Sequence, residues 1–162
     1  MKTASAGIAI TLLLSLAARA DDRISLQDIQ QVIAATDMAA MNRDAARIGQ
    51  YLSSSFGKVL EFTYRKYLAK VRIDRAKYLK LIDKGWANVE SYSYQRVDTE
   101  IHLLPDGKHG ESYSTITERS VLHGKKMTSK VREYATYGLE KGKPVITEIS
   151  TITLVGDSSP VY

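Results

Sequence analysis

Residues 86–155 read WANVESYSYQRVDTEIHLLPDGKHGESYSTITERSVLHGKKMTSKVREYATYGLEKGKPVITEISTITLV, a run rich in Thr, Val, Ile, Ser and Tyr. Turn-forming groups interrupt it at Pro105-Asp106-Gly107, His123-Gly124 and Glu140-Lys141-Gly142-Lys143. Branched and aromatic side chains favour extended backbone, and glycine beside a polar residue favours a tight reversal. The run therefore predicts four strands, roughly 87–104, 109–122, 127–139 and 145–155, paired antiparallel because their connections are short. Strands longer than the usual length of about five or six residues twist and bend strongly. A bent sheet has a concave side, and helices laid into it leave room for a pocket.

Helical signals lie upstream. Ser25 followed three positions later by Asp28 forms a helix start, and Leu26, Ile29, Ile33, Thr36 and Ala40 recur at helical spacing, which predicts a first helix over 25–41. Asn42-Arg43-Asp44 breaks it and caps a shorter second helix, with Ala45, Ile48, Tyr51 and Leu52 on its apolar side and its end at Ser53-Ser54-Ser55 and Gly57. Residues 58–73 read as extended, although 64–69 also suits a helix. Asp74 caps a third helix whose apolar side is Tyr78, Leu79 and Ile82 and whose stop is Gly85. Helices first and a long-stranded meander afterwards is an α+β plan, with the helices covering one face of the sheet.

The first twenty residues carry an address. Lys2 gives a positive start, residues 8–18 are almost wholly apolar, and Ala18-Arg19-Ala20 is a small-x-small cleavage site before Asp21-Asp22. This is a secretory signal peptide, too short to span a bilayer, so residues 1–20 are the leader and 21–162 a single mature domain, periplasmic or secreted. The leader takes Lys2 and Arg19 and no acid with it, so the formal charge of +5 falls to +3. The absence of cysteine excludes disulfides, thiolate metal sites, cysteine nucleophiles and a lipid-modified cysteine, which suits a bacterial periplasm.

The order of elements resembles the NTF2-like superfamily, the cone-shaped α+β family that includes SnoaL-like polyketide cyclases, ketosteroid isomerase and limonene epoxide hydrolase. The resemblance rests on Ala39-Ala40-Met41-Asn42-Arg43-Asp44-Ala45-Ala46, on Tyr78-Leu79-Lys80-Leu81-Ile82-Asp83-Lys84-Gly85-Trp86, and on the Leu103-Leu104-Pro105-Asp106-Gly107 hairpin. It implies a cone of three N-terminal helices on a strongly curved sheet. Family members on this scaffold isomerise, hydrolyse, bind or assemble, so the resemblance implies a pocket without naming its reaction. It also implies a possible homodimer through the outer sheet face. A ketosteroid-isomerase-like site needs a carboxylate base opposite a Tyr and acid oxyanion hole, and no local motif here maps onto that trio.

Candidate pocket residues follow from spacing. Asp37 lies at the edge of the first helix's apolar stripe, where it faces either the pocket or an arginine such as Arg43. Tyr92 and Tyr94 share one strand face, with Trp86 in phase, and such rings suit a wall that orients an apolar ligand or an ordinary core. Glu133 and Glu148 stand among β-formers, and either becomes a candidate acid or base if it faces inward. Strand parity stays open, since Val145, Ile149 and Val155 compete with Ile146, Ile152 and Leu154 for the buried face. His102, His109 and His123 lack metal-ligand spacing, and no cofactor motif is present. The basic run from Arg65 to Lys84 puts Lys77, Lys80 and Lys84 on one helical face, either solvated or turned to an anionic partner. No nucleic acid and no membrane span are expected.

The resulting expectation is an exported, non-catalytic domain that holds a small apolar ligand or a protein partner in its concave pocket. The alternatives are a cofactor-free isomerase, cyclase or hydrolase with a pocket carboxylate as base, and a dimeric assembly module.

Overall fold

The computed structural model describes residues 22–64 and 67–156, so the expected signal peptide, the middle of the basic run, Arg65 and Lys66, and residues 157–162 lie outside the described residues. Helix α1, Leu26–Met41, begins where expected because the Ser25 hydroxyl accepts from the Asp28 N–H at 3.2 Å while the Asp28 carboxylate accepts from the Ser25 N–H at 2.9 Å. Helix α2, Ala45–Gly49, follows a corner capped by Asp44. Then come β1, Leu52–Tyr64, β2, Tyr67–Asp74, and helix α3, Arg75–Ala87, whose cap Asp74 accepts from the Lys77 N–H at 2.8 Å. The meander is β3, Ser91–Leu103, β4, Gly110–Leu122, β5, Lys125–Glu140, and β6, Lys143–Gly156.

All six strands form one sheet in the order β2-β1-β6-β5-β4-β3, antiparallel throughout except for the parallel pair β1–β6. The two later hairpins close through His123-Gly124 and Lys141-Gly142, all four with positive φ. Such paired left-handed residues match the twist of the strands they join.

Three expectations need correction. The Ser53-Ser54-Ser55 run does not end α2 but lies in β1, because Leu52 pairs with Ile146 and draws the serines into the sheet. Gly85 does not stop α3, and Trp86 lies on that helix rather than in phase on a strand; its ring packs edge-on to Tyr92 at 5.8 Å, which repays the weak helix preference of glycine. Leu26 opens the predicted apolar stripe yet is 47% exposed, since the buried stripe runs instead through Ile29, Val32, Ile33, Thr36 and Ala40.

The parity question is answered by a bulge. Tyr137 pairs with Ile146 while Thr136 pairs with Glu148, so Thr147 is an extra residue and both Ile146 and Ile149 turn inward. Val145 is buried with them, whereas Ile152, Leu154 and Val155 are exposed. A second irregularity between Leu52 and Gly57 sets β1 so that Phe56, Lys58 and Leu60 share the inner face. Helix α1 sinks deep into the concavity, where the Ile29 Cδ1 lies only 2.4 Å from the place a side chain on Gly110 would occupy. Phe56, Ala135, Tyr137 and Ile146 complete the core from the sheet side.

Ile29→Ala should cost about 3 kcal/mol in urea unfolding, because it empties a wholly buried site between helix and sheet. Leu26→Ala, one turn away, should stay within about 0.5 kcal/mol; equal losses would place α1 elsewhere.

Candidate functional site

The concavity is not filled. A cavity of about 260 Å³ lies under α1 and α2, walled by apolar side chains such as Ile48, Ile116, Ile146 and Ile149. It adjoins an outer recess of about 500 Å³ between α3 and the sheet. Lys58, Tyr78, Ile82, Trp86 and Glu118 line both spaces, so they mark the passage between them.

One charged network crosses the inner end. Strand β3 alternates so that Tyr92, Tyr94 and Arg96 point inward. The Arg96 Nε donates to both Asp37 oxygens at 2.9 and 3.0 Å, one terminal nitrogen donates to Glu133 at 3.0 Å, and the other donates to the Tyr94 hydroxyl at 2.9 Å. That hydroxyl in turn donates to Asp37 at 2.9 Å. Burial alone would lower the Arg96 pKa, but Glu133, Tyr94 and Asp37 raise it, so the guanidinium stays charged. Burial pushes the Asp37 carboxyl up, and Arg96 and Tyr94 offset this only in part.

Two more groups stand in the passage. The Tyr92 hydroxyl donates to Glu118, and burial together with that carboxylate raises the Tyr92 pKa. Lys58 is buried on β1, yet among the described residues it makes no hydrogen bond and no ion pair. Burial lowers its pKa from 10.5; Glu133 and Glu118 oppose the shift and Arg96 adds to it. On α3, burial with Glu133 and Glu118 raises the Tyr78 pKa, so that phenol remains a donor. Among the described residues no cluster of His, Asp and Glu could hold a metal ion, and no helix is long and apolar enough to cross a membrane.

The fold that carries this site has counterparts among solved structures. A candidate scytalone dehydratase from Novosphingobium aromaticivorans superposes with a TM-score of 0.67 at 9% identity, over 84% of this chain and 88% of the other. A hexachlorocyclohexane dehydrochlorinase, LinA-type3 from Novosphingobium barchaimii, gives 0.64 at 8% identity, over 81% and 87%. An NTF2-like protein from Cytophaga hutchinsonii gives 0.63 at 11% identity, over 81% and 100%. The chain has the NTF2-like fold. At these identities the likeness is one of fold alone, and neither a protein-family model nor a curated protein matches the sequence.

The NTF2-like cone gathers most of the candidate residues. Asp37, Tyr94 and Glu133 join through Arg96, while Trp86 and Tyr92 meet at the outer recess. Asp37 stands behind Tyr94 and Arg96 rather than on the cavity wall. Glu148 is a correction: it pairs with Arg72, away from the cavity, because the Thr147 bulge leaves it between inward Ile146 and Ile149. Four site residues escaped the reading of the sequence, Lys58, Tyr78, Arg96 and Glu118. Alternation was the available signal, since Arg96 follows Tyr92 and Tyr94 in phase, Glu118 follows Ile116, and Lys58 stands between Phe56 and Leu60.

Lys58→Met should stabilise the fold at neutral pH. Below the lowered folded-state pKa the amine is protonated in both states and the fold bears the full cost of the buried charge; above about 10.5 it is neutral in both and the cost is gone. The variant should therefore melt higher than the unaltered chain near pH 7, and the gap should shrink as pH rises toward about 10. Thermal melts of both proteins across that range check this, and a gap independent of pH would contradict it.

Proposed function

We propose that this protein is exported and that its cone holds a small, largely apolar molecule whose polar end meets Lys58 and Glu118, without a resident cofactor. The observation that carries this reading is the join between an apolar-walled cavity and an open recess, with polar side chains concentrated at the passage. A site of this kind excludes water along most of its wall and orients its occupant by a few polar contacts. The apolar run of residues 8–18 and the Ala18-Arg19-Ala20 site support export.

Ligand holding is favoured over acid–base catalysis by Asp37, because that carboxylate stands behind Tyr94 and Arg96 and does not line the cavity. A base needs a free lone pair within reach of its substrate. A homodimer through the outer face is a second reading. Val97, Thr115, Arg132 and Ile152 stand side by side across four strands on that face, and Val97 and Ile152 are exposed there, as is Tyr113 one row along.

Native mass spectrometry of protein released from the periplasm of its native host tests both readings. The expected spectrum is a chain beginning at Asp21 that carries a small molecule lost on denaturation. An unprocessed chain would overturn export. A bare chain whose single tryptophan, Trp86, also keeps its fluorescence across a panel of small aromatic and alicyclic compounds would overturn the ligand reading.

A further inference from the structure

We propose that Lys58 captures a carbonyl compound, an aldehyde or ketone with an apolar body, as an imine within the cone. The proposal rests on the ligand-holding reading above and goes further, since it assigns a covalent step and a substrate class.

A lysine inside a small domain normally either reaches water with its ammonium or pairs with a carboxylate. Lys58 does neither. It is only 8% exposed, and among the described residues no acceptor lies within bonding distance of it. The two carboxylates nearest in electrostatic terms are engaged elsewhere, Glu133 by Arg96 at 3.0 Å and Glu118 by the Tyr92 hydroxyl. The amine lines both the cavity and the recess, so a molecule passing inward meets it. Its place on the inner face comes from the irregularity in β1 between Leu52 and Gly57, in phase with buried Phe56.

The surroundings favour a neutral carbonyl over an anion as the partner. Glu118 and Glu133 share the cavity wall with Lys58, and Arg96, the other cation on that wall, is already held by Asp37 and Glu133, so a carboxylate or phosphate would be repelled there. The same carboxylates stabilise the positive iminium that an amine and a carbonyl form together. Desolvation also enlarges the neutral, nucleophilic fraction of the amine.

The step balances without any oxidant or reductant. The nitrogen lone pair of Lys58 forms a bond to the carbonyl carbon, the C=O π pair moves to oxygen, and a proton passes from nitrogen to that oxygen to give a carbinolamine. The hydroxyl then leaves with one proton as water while the second C–N bond forms. Glu118, which lines both spaces, is placed to relay the proton.

The test uses the full mature chain, hydrocinnamaldehyde as the carbonyl probe and sodium cyanoborohydride to fix any imine as a stable amine. Peptide mapping by mass spectrometry should find the adduct on Lys58 several-fold above the mean of exposed lysines such as Lys77, Lys80 and Lys84, since the cavity gathers the probe at this amine and burial enlarges its neutral fraction. Lys58→Met should lose that adduct while keeping its circular dichroism spectrum. Should the variant fail to fold, the map on the unaltered chain still decides. Labelling spread over the surface with Lys58 unmodified would overturn the proposal. Hydrocinnamyl alcohol separates the two readings: if aldehyde and alcohol both change Trp86 fluorescence and no adduct forms, imine capture falls and ligand holding stands. If neither probe is bound or fixed, both fall.

Discussion

A single guanidinium sets the geometry of this cone. Arg96, from the edge strand β3, reaches Asp37 on α1, Tyr94 on its own strand and Glu133 on β5. Helix α1 therefore cannot rise out of the concavity, or slide along it, without breaking the Asp37 contacts to Arg96 and Tyr94. Close packing of Ile29 over Gly110 holds the other end of the same helix. Between these two attachments the sheet curves away, and the space left beneath α1 and α2 is the cavity.

The polar groups in that space divide into two sets with different consequences. Asp37, Tyr94, Arg96 and Glu133 satisfy one another and behave as structure. Lys58 and Glu118 stand at the passage to the recess, where Glu118 holds one phenol and Lys58 holds nothing among the described residues. Helix α3 covers this passage with Tyr78, Ile82 and Trp86 and has no fully buried residue of its own. The wall nearest the opening is thus the least tightly packed helix, while the deep end is held by charge and by core side chains. The same scaffold carries a dehydrochlorinase and a candidate dehydratase, so what distinguishes this chain is the side-chain set in its cone rather than the cone itself.

Local chemistry was legible in the sequence; long-range register was not. The Ser25–Asp28 box, the Asp74 cap and the two glycine-bearing reversals at His123-Gly124 and Lys141-Gly142 are short-range signals, and each marks an element boundary. Tyr92 and Tyr94 were assigned a common face by alternation alone, and β3 keeps that alternation through Arg96. Glu148 was taken as a pocket candidate because its orientation depends on the bulge at Thr147, while Lys58 was passed over although it alternates with Phe56 and Leu60, since a lysine is an uncommon inward residue. A bulge inserts one residue with no distinctive side chain, so the face it assigns is decided by pairing with a distant strand. Asp37 was placed at the edge of its helix's apolar stripe, but its partner lies far along the chain, and only the folded sheet shows that Arg96 rather than Arg43 takes it up.

The central claim is that the cone keeps an amine with no carboxylate partner among the described residues at the passage between cavity and recess. Carbon-13 NMR of protein labelled at the lysine ε-carbon, with the Lys58 signal assigned by its loss in Lys58→Arg, reads that amine directly as pH is raised. The account predicts a Lys58 midpoint clearly below the ordinary lysine value of about 10.5. A midpoint at or above that value would mean a solvated or ion-paired amine, and would contradict the arrangement described for the passage.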